Sequence, residues 1–276
     1  MSGLDLLLSV PDDISVPLLV NWLDVIDLAR LDTALCAKIP RVRFLEILAL
    51  EIMVLRRPNP LDLRTSSWAY MEWISKRKVH ITELHLRVGE ECSIGTQNLL
   101  RDLLKWTGPL VDKLNLSGSF VHNDVLRMLA MNCIQLREVY VHNASDAFMM
   151  ALGENCPHLQ VIDFSRSRFV TDAGLRSLTD GCRQLKHIST GGAISDCGMQ
   201  RMITNCSAHL HTLDIRASIY ITLNEGIRPL IEQCPPALRV LLVDEDIMDE
   251  DDDEDGDEVI APTDWHAIAP LLTIRF

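Results

Sequence analysis

The sequence predicts an α/β solenoid in which each repeat is one short strand followed by one helix, with a small all-helical segment before the first repeat. The clearest repeat runs from Cys156 to Cys182 and contains an apolar strand-like run, a polar loop and a helical segment. Self-similarity at a fixed period is the sequence signature of a repeat architecture. A leucine follows each of five recurring cysteines three or four residues later, and these cysteines are Cys133, Cys156, Cys182, Cys206 and Cys234.

The helix of each repeat is predicted from the residues that precede the cysteine. Four and seven residues before every one of the five cysteines, the side chain is large and aliphatic. Steps of three and four place side chains on one helical face, so this face and the cysteine are expected in the core. Pro229 lies inside the last helix, which should therefore start late or bend. Three helices are expected to begin at a capping hydroxyl followed by an acid, namely Ser145-Asp146, Thr171-Asp172 and Ser195-Asp196.

The strands are predicted from pairs of apolar anchors separated by one residue. The first anchors of successive strands stand 23 to 30 residues apart, and Gly191-Gly192 is expected to form a turn after the fifth strand. Repeats of this kind bury a continuous core by stacking and form a curved parallel sheet on the concave side. About seven strands are predicted within residues 81–276, with the anchors Leu84/Leu86, Leu114/Leu116, Val139/Val141, Ile162/Phe164, Ile188/Thr190, Leu213/Ile215 and Leu241/Val243.

Residues that alternate with the anchors are candidates for a binding surface. Side chains alternate between the two faces of a strand, so these residues are expected on the concave face. The set is polar and carries both signs of charge, which suits a protein or peptide ligand. The alternative is that they form only the solvated face that any solenoid presents. The candidate substrate-binding residues are His85, Arg87, Tyr140, His142, Asp163, His187, Asp214 and Arg216.

The cysteines are interpreted as small buried side chains at crowded turns. A zinc site is the alternative, but there is no Cys-x-x-Cys pair, and single cysteines so far apart would have to converge from neighbouring repeats. No nucleophile elbow, H-E-x-x-H, P-loop or kinase motif is present, so no catalytic residue, metal or cofactor is expected. Eight cysteines without a secretory start indicate reduced thiols in an intracellular compartment.

Composition bounds the possible partners. The chain has 276 residues and a net charge of −13, yet residues 244–258 hold twelve acids and no base, which leaves 27 acids against 26 bases elsewhere. The rest of the chain is therefore nearly neutral, and nucleic-acid binding is not expected because it requires a basic face. No apolar run approaches the length of a membrane span. The acidic run is expected to be a solvated, disordered loop, with docking of a basic partner as the alternative.

Residues 1–50 lack the repeat and are predicted to be helical. The stretch VPDDISVPLLVNWLDVIDLARLDTALC, from Val10 to Cys36, resembles an F-box: a Pro after an apolar opening, a short helix that ends in an apolar-Leu pair, then Asp-Leu and a Leu leading to a Cys. Val10 replaces the opening Leu of that family, and the Trp that usually follows the Cys is absent. The adaptor-binding residues that this resemblance implies are Val10, Pro11, Leu18, Leu19, Leu23, Leu28 and Leu31. The alternative is an apolar helical cap for the first repeat.

Residues 51–80 are predicted to be a helical linker that caps the array on its N-terminal side. Aromatic residues cluster there just before Lys76-Arg-Lys78, which favours a helix packed under the first strand over a nucleic-acid site. After the acidic run, Thr263-Asp264 is expected to start a short helix that seals the other end of the array.

The order of an F-box-like segment followed by cysteine-containing repeats is similar to that of F-box/leucine-rich-repeat proteins. The resemblance implies a substrate-recognition subunit of an SCF-type (cullin–RING) ubiquitin ligase, a non-catalytic chain that binds a Skp-type adaptor and a protein substrate. It further implies a cytoplasmic and/or nuclear protein that is monomeric without its partners. The alternative is a ligase-independent leucine-rich-repeat scaffold, in which the N-terminal helices act only as a cap.

Overall fold

The computed structural model packs as two compact units, described separately below. Unit 1 comprises Met1–Val121 with Asn132–Gln135, and unit 2 comprises His122–Met131 with Leu136–Phe276. The division therefore falls inside the predicted repeat segment and not at its start. The structure describes residues 8–23, 25–35, 40–48, 50, 54–55, 61–62, 68–87, 94–118, 121–233, 235–244 and 272–275. The predicted acidic loop beyond Asp244 and the predicted helix at Thr263 lie outside these residues.

Unit 1 begins with the helices predicted for the N-terminal segment and continues with the first strands of the repeats. The strands pair in parallel as β1 with β3, β2 with β4, and β4 with β5. A 3₁₀ turn at Gly108–Leu110 precedes β5. The elements are α1 (Asp12–Trp22), α2 (Val25–Ala34), α3 (Pro40–Leu48), β1 (Val54–Leu55), β2 (Leu61–Asp62), α4 (Trp68–Arg77), β3 (His80–Ile81), β4 (Glu83–Arg87), α5 (Ile94–Thr107) and β5 (Lys113–Leu116).

A buried carboxylate joins three helices of unit 1. Asp32 on α2 is almost wholly buried. Its Oδ1 accepts a hydrogen bond from Arg41 Nε at 2.9 Å, and its Oδ2 accepts from Trp73 Nε1 at 2.9 Å and Arg77 Nε at 3.0 Å. Burial alone would raise the pKa of Asp32, but the hydrogen bonds from Trp73, Arg41 and Arg77 outweigh it and hold the pKa below its ordinary value. The N-terminal helices are thus tied to α4 through one side chain.

Replacing Asp32 by Ala is expected to lower the free energy of unfolding by about 2 to 3 kcal/mol, because two cations and an indole N–H lose their shared acceptor. Urea unfolding followed by circular dichroism measures this loss. The matched control is Glu72→Ala on α4, which breaks only an exposed pair with Lys76 and should cost about 0.5 kcal/mol or less. Equal losses for the two variants would contradict the role assigned to Asp32.

Unit 2 contains the regular repeats. The six strands that the structure describes in it are all parallel and lie in the order β6-β7-β8-β9-β10-β11. The elements are α6 (Asn123–Asn132, whose last residue belongs to unit 1), β6 (Glu138–Val141), α7 (Asp146–Asn155), β7 (Val161–Asp163), α8 (Asp172–Gly181), β8 (His187–Ser195), α9 (Asp196–Cys206), β9 (Thr212–Tyr220), α10 (Arg228–Gln233), β10 (Val240–Leu242) and β11 (Thr273–Arg275).

The core of unit 2 consists of the residues that the repeat pattern predicted. Strand anchors such as Ile162 and Leu213 are fully buried or nearly so, as are the helix residues four and seven before each cysteine. Cys156 and Cys182 stand at the ends of α7 and α8 as their C-caps. Their backbone N–H groups donate to Leu152 O and Leu178 O at 2.8 Å. Each cysteine therefore ends a helix at a position where a larger side chain would not fit between stacked repeats.

Aspartates at the helix starts connect each repeat to the next. The carboxylate of Asp172 accepts from the backbone N–H of Ser195 at 2.8 Å and from its hydroxyl at 2.5 Å. The same two bonds run from Thr171 to Asp146 and from Thr222 to Asp196. We call this set the aspartate ladder: Asp146, Asp172 and Asp196, with their partners Thr171, Ser195 and Thr222.

The ladder changes the predicted role of the hydroxyl residues. Thr171 does cap its helix, since its Oγ1 accepts from Ala173 N. Ser145 and Ser195 make no side-chain cap, so the capping prediction was wrong for them. The Ser195 hydroxyl donates to the preceding repeat, and the Ser145 hydroxyl donates to Asn123 Oδ1 at 2.8 Å. Donation to the previous repeat does not by itself prevent capping, because Thr171 Oγ1 both donates to Asp146 and accepts from Ala173 N.

Two further features of unit 2 concern glycine and proline. Gly191 and Gly192 do not follow the fifth strand but lie within β8, which runs on to Ser195 with register shifts against β9. Gly192 has a φ of +84°, and a Cβ on Gly191 would collide with the Ser165 carbonyl. As predicted from Pro229, the last α-helix starts late, at Arg228, after a π-helical turn at Leu223–Ile227.

Replacing Asp172 by Ala is expected to lower the free energy of unfolding by about 2 kcal/mol, because two charge-assisted hydrogen bonds between repeats are lost. The matched control is Asp124→Ala, which removes an exposed acid from the first turn of α6 and should cost about 0.5 kcal/mol. Urea denaturation of both variants measures the difference. A loss for Asp172→Ala no larger than that of the control would contradict a structural role for the ladder.

Candidate functional site

The strand residues that alternate with the core anchors form a polar surface on unit 2, which we call the open face. The parallel register places Tyr140 opposite Asp163, Asp163 opposite Ser189, and Ser189 opposite Asp214. His187 lies one row below, opposite Val161 and Thr212. These side chains are partly or fully exposed, whereas their neighbours along each strand are buried. The register therefore places four of the predicted residues of unit 2, Tyr140, Asp163, His187 and Asp214, in two rows.

The charges of the open face are held by local contacts. Arg216 donates two hydrogen bonds to the carboxylate of Asp214, at 3.0 and 2.8 Å, and this pairing raises the pKa of Arg216. Asp163 Oδ1 accepts from the backbone N–H of Ser165 at 3.0 Å and from its hydroxyl at 2.7 Å. Both aspartates are thus fixed in position but keep oxygen surface toward solvent, which gives the face defined polar features for recognising a ligand.

Histidines of the open face are shifted toward the neutral form. Burial lowers the pKa of His142, Arg166 lowers it further, and Asp163 opposes them. Burial likewise lowers the pKa of His187, with His211 and Lys186 acting in the same direction and Glu138 against it. Near neutral pH the two imidazoles therefore act as hydrogen-bonding groups and not as cations.

Two predicted substrate-binding residues belong to unit 1. His85 is half-buried on β4, and its Nε2 lies 3.7 Å from Glu83 Oε2, which is too long for a hydrogen bond. Burial lowers the pKa of His85 against the opposing charge of Glu83, and Lys113 lowers it further. Arg87 is the last residue of β4, and its side chain lies outside the described part of the structure.

The residues predicted to bind an adaptor divide into an inner and an outer set. Leu19 and Leu28 are buried within unit 1, so they pack the helices together and are not available on its surface. Val10, Leu23 and Leu31 are half-buried, and Pro11 is exposed. Leu18 is 41% exposed, and its neighbour on the same face of α1, Ile14, is 49% exposed although it was not among the predicted residues.

Four of the described cysteines are buried thiols that form no disulfide, namely Cys133, Cys156, Cys182 and Cys206. Burial raises the pKa of Cys156, Cys182 and Cys206 to about 12. The Cys182 thiol donates to the Cys156 carbonyl at 3.2 Å. Among the described residues, no group of three or more His, Cys, Asp and Glu side chains is arranged to hold a metal ion.

Sequence reasoning missed one exposed apolar group on unit 2. Phe169 is 70% exposed, Ile219 is 79% exposed and Tyr220 is 57% exposed. Phe169 lies between β7 and α8, and the other two lie at the end of β9, which extends to nine residues. Ile219 and Tyr220 form an apolar pair that begins six residues after Leu213, and this pair could have been noticed in the sequence. Whether the pair is exposed depends on which face of the β9 extension points inward.

Comparison with known proteins supports the fold. No protein-family model and no curated protein matches the sequence. A chain from the crystal structure of the Rad7 and Elc1 complex in yeast is similar in fold, with a TM-score of 0.50 and 14% identity over 84% of this chain. This chain spans 65% of the length of that one. An internalin from Listeria monocytogenes matches with a TM-score of 0.40 and 15% identity, over 60% of this chain and 41% of its own.

The predicted fold class is confirmed: the chain is a leucine-rich-repeat solenoid built from strand-plus-helix repeats with a parallel sheet. In the part of the chain that the structure covers, no helix has the length and apolar character needed to cross a bilayer.

The lowered pKa values of His142 and His187 predict a pH dependence of stability. The unfolded chain takes up protons at an ordinary histidine pKa of about 6.5, above that of the folded chain, so the free energy of unfolding should fall as pH drops through about 6.5. The double variant His142→Gln/His187→Gln should show a shallower fall in urea titrations between about pH 7.5 and about pH 5.5. An unchanged slope in the double variant would contradict the assignment.

Proposed function

We propose that the chain is a substrate-recognition subunit of an SCF-type (cullin–RING) ubiquitin ligase. In this proposal the outer face of α1 binds a Skp-type adaptor, and the open face of unit 2 binds a protein substrate. The observation that carries it is an exposed apolar helical face, Ile14 with Leu18, in a helical segment that precedes a leucine-rich-repeat array.

The position of Ile14 and Leu18 supports a helix-binding partner. Residues four apart lie on one face of a helix, and Pro17 and Pro11 beside them are also exposed. Large apolar side chains on a surface helix are costly to leave in water, and such anchors supply most of the binding energy of an interface. The buried residues Leu19 and Leu28 hold α1 in place and leave this face turned outward.

The comparison with solved structures supports a protein partner for this chain. The yeast structure that this chain resembles is a complex of Rad7 with Elc1, so a chain of this fold is found there in an assembly of two different proteins. Carried to this chain, that supports an adaptor-type partner as the binding mode of the proposed subunit.

The proposed subunit performs no covalent chemistry. It holds a substrate lysine close to a ubiquitin-charged conjugating enzyme, so its contribution to rate is proximity and orientation. The residues proposed to contact substrate are those of the open face of unit 2. This role places the protein in the cytoplasm, the nucleus or both.

The Asp32 network favours a second candidate function. Arg41, Trp73 and Arg77 tie the N-terminal helices to α4, which is what a cap that seals the first repeat requires. If capping is the whole role of these helices, the chain is a ligase-independent scaffold whose open face binds a protein partner.

Co-expression with a Skp-type adaptor separates the two candidates. The variant Ile14→Asp/Leu18→Asp should abolish a stable one-to-one complex seen with the parent chain, because two charges would replace the apolar anchors at the interface. The matched control is Val42→Asp on α3, which is also an exposed apolar residue of unit 1 and should leave the complex intact.

Circular dichroism should show both variants folded, since none of the substituted residues is buried. A parent chain that forms no complex with the adaptor would overturn the ligase proposal in favour of the scaffold. A complex that survives Ile14→Asp/Leu18→Asp would overturn the assignment of α1 as its binding face.

A further inference from the structure

The exposed apolar residues of unit 2 lie on one continuous surface. Val170 O accepts from Ala193 N at 2.9 Å, and Gly192 pairs with Ser218. Phe169, Ala193 and Ile219 each stand next to one of these paired residues, on segments from three successive repeats. We call Phe169, Ala193 and Ile219 the apolar strip.

Alternation along the three segments fixes which way the strip faces. Val170, Ile194 and Ser218 are buried, and the Ser218 hydroxyl is hydrogen bonded to Thr190 Oγ1 at 2.6 Å. Neighbours in an extended chain point to opposite sides, so Phe169, Ala193 and Ile219 point to solvent, in agreement with their exposure. Phe169 and Ile219 are two large apolar side chains that both leave most of their surface in water, which is typical of an interaction site.

The strip lies beside an edge of β9 that no described strand covers. On one side, the extension of β9 pairs with β8 through Ala217, Ser218 and Tyr220. On the other side, β10 pairs only with Thr212–Asp214. Among the described residues no strand lies along the far edge of Ala217–Tyr220, so its backbone groups are positioned to pair with an added strand.

The charges at the Phe169 end of the strip are positive. Arg166 and Arg168 are exposed on the loop that leads to Phe169, and neither forms an ion pair with another described residue. At the other end, Arg216 is paired with Asp214 and also faces the charge of Asp244. The unbalanced positive charge is therefore that of Arg166 and Arg168, which is complementary to an acidic ligand.

We propose that the apolar strip and the edge of β9 bind an extended acidic peptide segment of a protein substrate by strand addition. Apolar side chains of the segment cover Phe169 and Ile219, its backbone pairs with Ala217–Tyr220, and its acidic side chains meet Arg166 and Arg168. The inference rests on the proposed function of unit 2 in binding a protein substrate, and it names the class of that substrate.

An array of immobilised peptides with alternating acidic and apolar residues tests the proposal on the full-length chain, without any adaptor. A companion array carries lysine in place of every acid. The chain should bind members of the acidic array and not their lysine counterparts, and the binding should weaken as salt is raised. Hydrogen exchange followed by mass spectrometry should show slower exchange at Ala217–Tyr220 when a bound peptide is added.

The variants separate the two parts of the site. Ile219→Ser should weaken binding of the selected peptide about tenfold or more, since the burial of one large aliphatic side chain is lost. Arg166→Glu/Arg168→Glu should weaken it and remove most of the salt dependence. The matched controls are Met150→Ser and Arg176→Glu, which change an exposed apolar residue and an exposed arginine on the helices of unit 2 and should bind as the parent does.

Four results would overturn the proposal. The first is equal binding to both arrays or to neither, and the second is binding that Ile219→Ser leaves unchanged. The third is a parent dimer in solution that Ile219→Ser converts to monomer, which would assign the strip to a second copy of the chain. The fourth is binding that appears only after the acids of residues 249–258 are replaced by amides, which would assign the strip to the chain's own acidic run. Because no adaptor is present, none of these results bears on α1.

Discussion

The architecture of unit 2 depends on the aspartate ladder. Each aspartate spends both carboxylate oxygens on one residue of the following repeat, accepting from its backbone N–H and its hydroxyl. A charged acceptor with two neutral donors is worth about 2 kcal/mol per junction, enough to set the spacing of helix starts. Gly198 shows the geometric side of the constraint, because a Cβ at this position would collide with the carboxylate of Asp172. The Asp172 carboxylate can occupy this position only because residue 198 is a glycine.

The open face follows from that spacing. With the helix starts fixed, the strands stack in an unshifted register from β6 to β10 over their first residues, so Tyr140, Asp163 and Asp214 fall in one row. Where the strands run longer than the repeat requires, the register between β8 and β9 shifts at Gly191 and Gly192. Ala193 and Ile219 of the apolar strip lie in this extended region. The polar rows form where the register of β8 and β9 is regular, and the strip forms where that register shifts.

The strands and core residues could be predicted from the sequence because they recur at a regular spacing. The contacts of single side chains could not, because they depend on their local surroundings. All seven predicted strands are present, and the aliphatic residues before each cysteine are core, because burial on one helical face follows from spacing alone. The hydrogen bond from the Ser195 hydroxyl to Asp172 could not be predicted, since it depends on how closely two repeats stack. For Leu19 and Ile14, the F-box resemblance named the buried residue and passed over the exposed one, because a loose motif does not determine helix rotation. The exposure of Phe169 could not be predicted because the residue lies in a loop, outside the periodic pattern from which burial was inferred.

The two roles proposed for the N-terminal helices, capping and adaptor binding, use different faces of the same helices. Asp32, Leu19 and Leu28 point inward and hold α1 and α2 within unit 1, whereas Ile14 and Leu18 expose 49% and 41% of their surface on the outer face of α1. A segment that served only as a cap would be expected to present polar residues on its outer face, as terminal caps of repeat proteins do. The apolar outer face of α1 is the part of the structure that capping leaves unexplained, and a bound partner accounts for it.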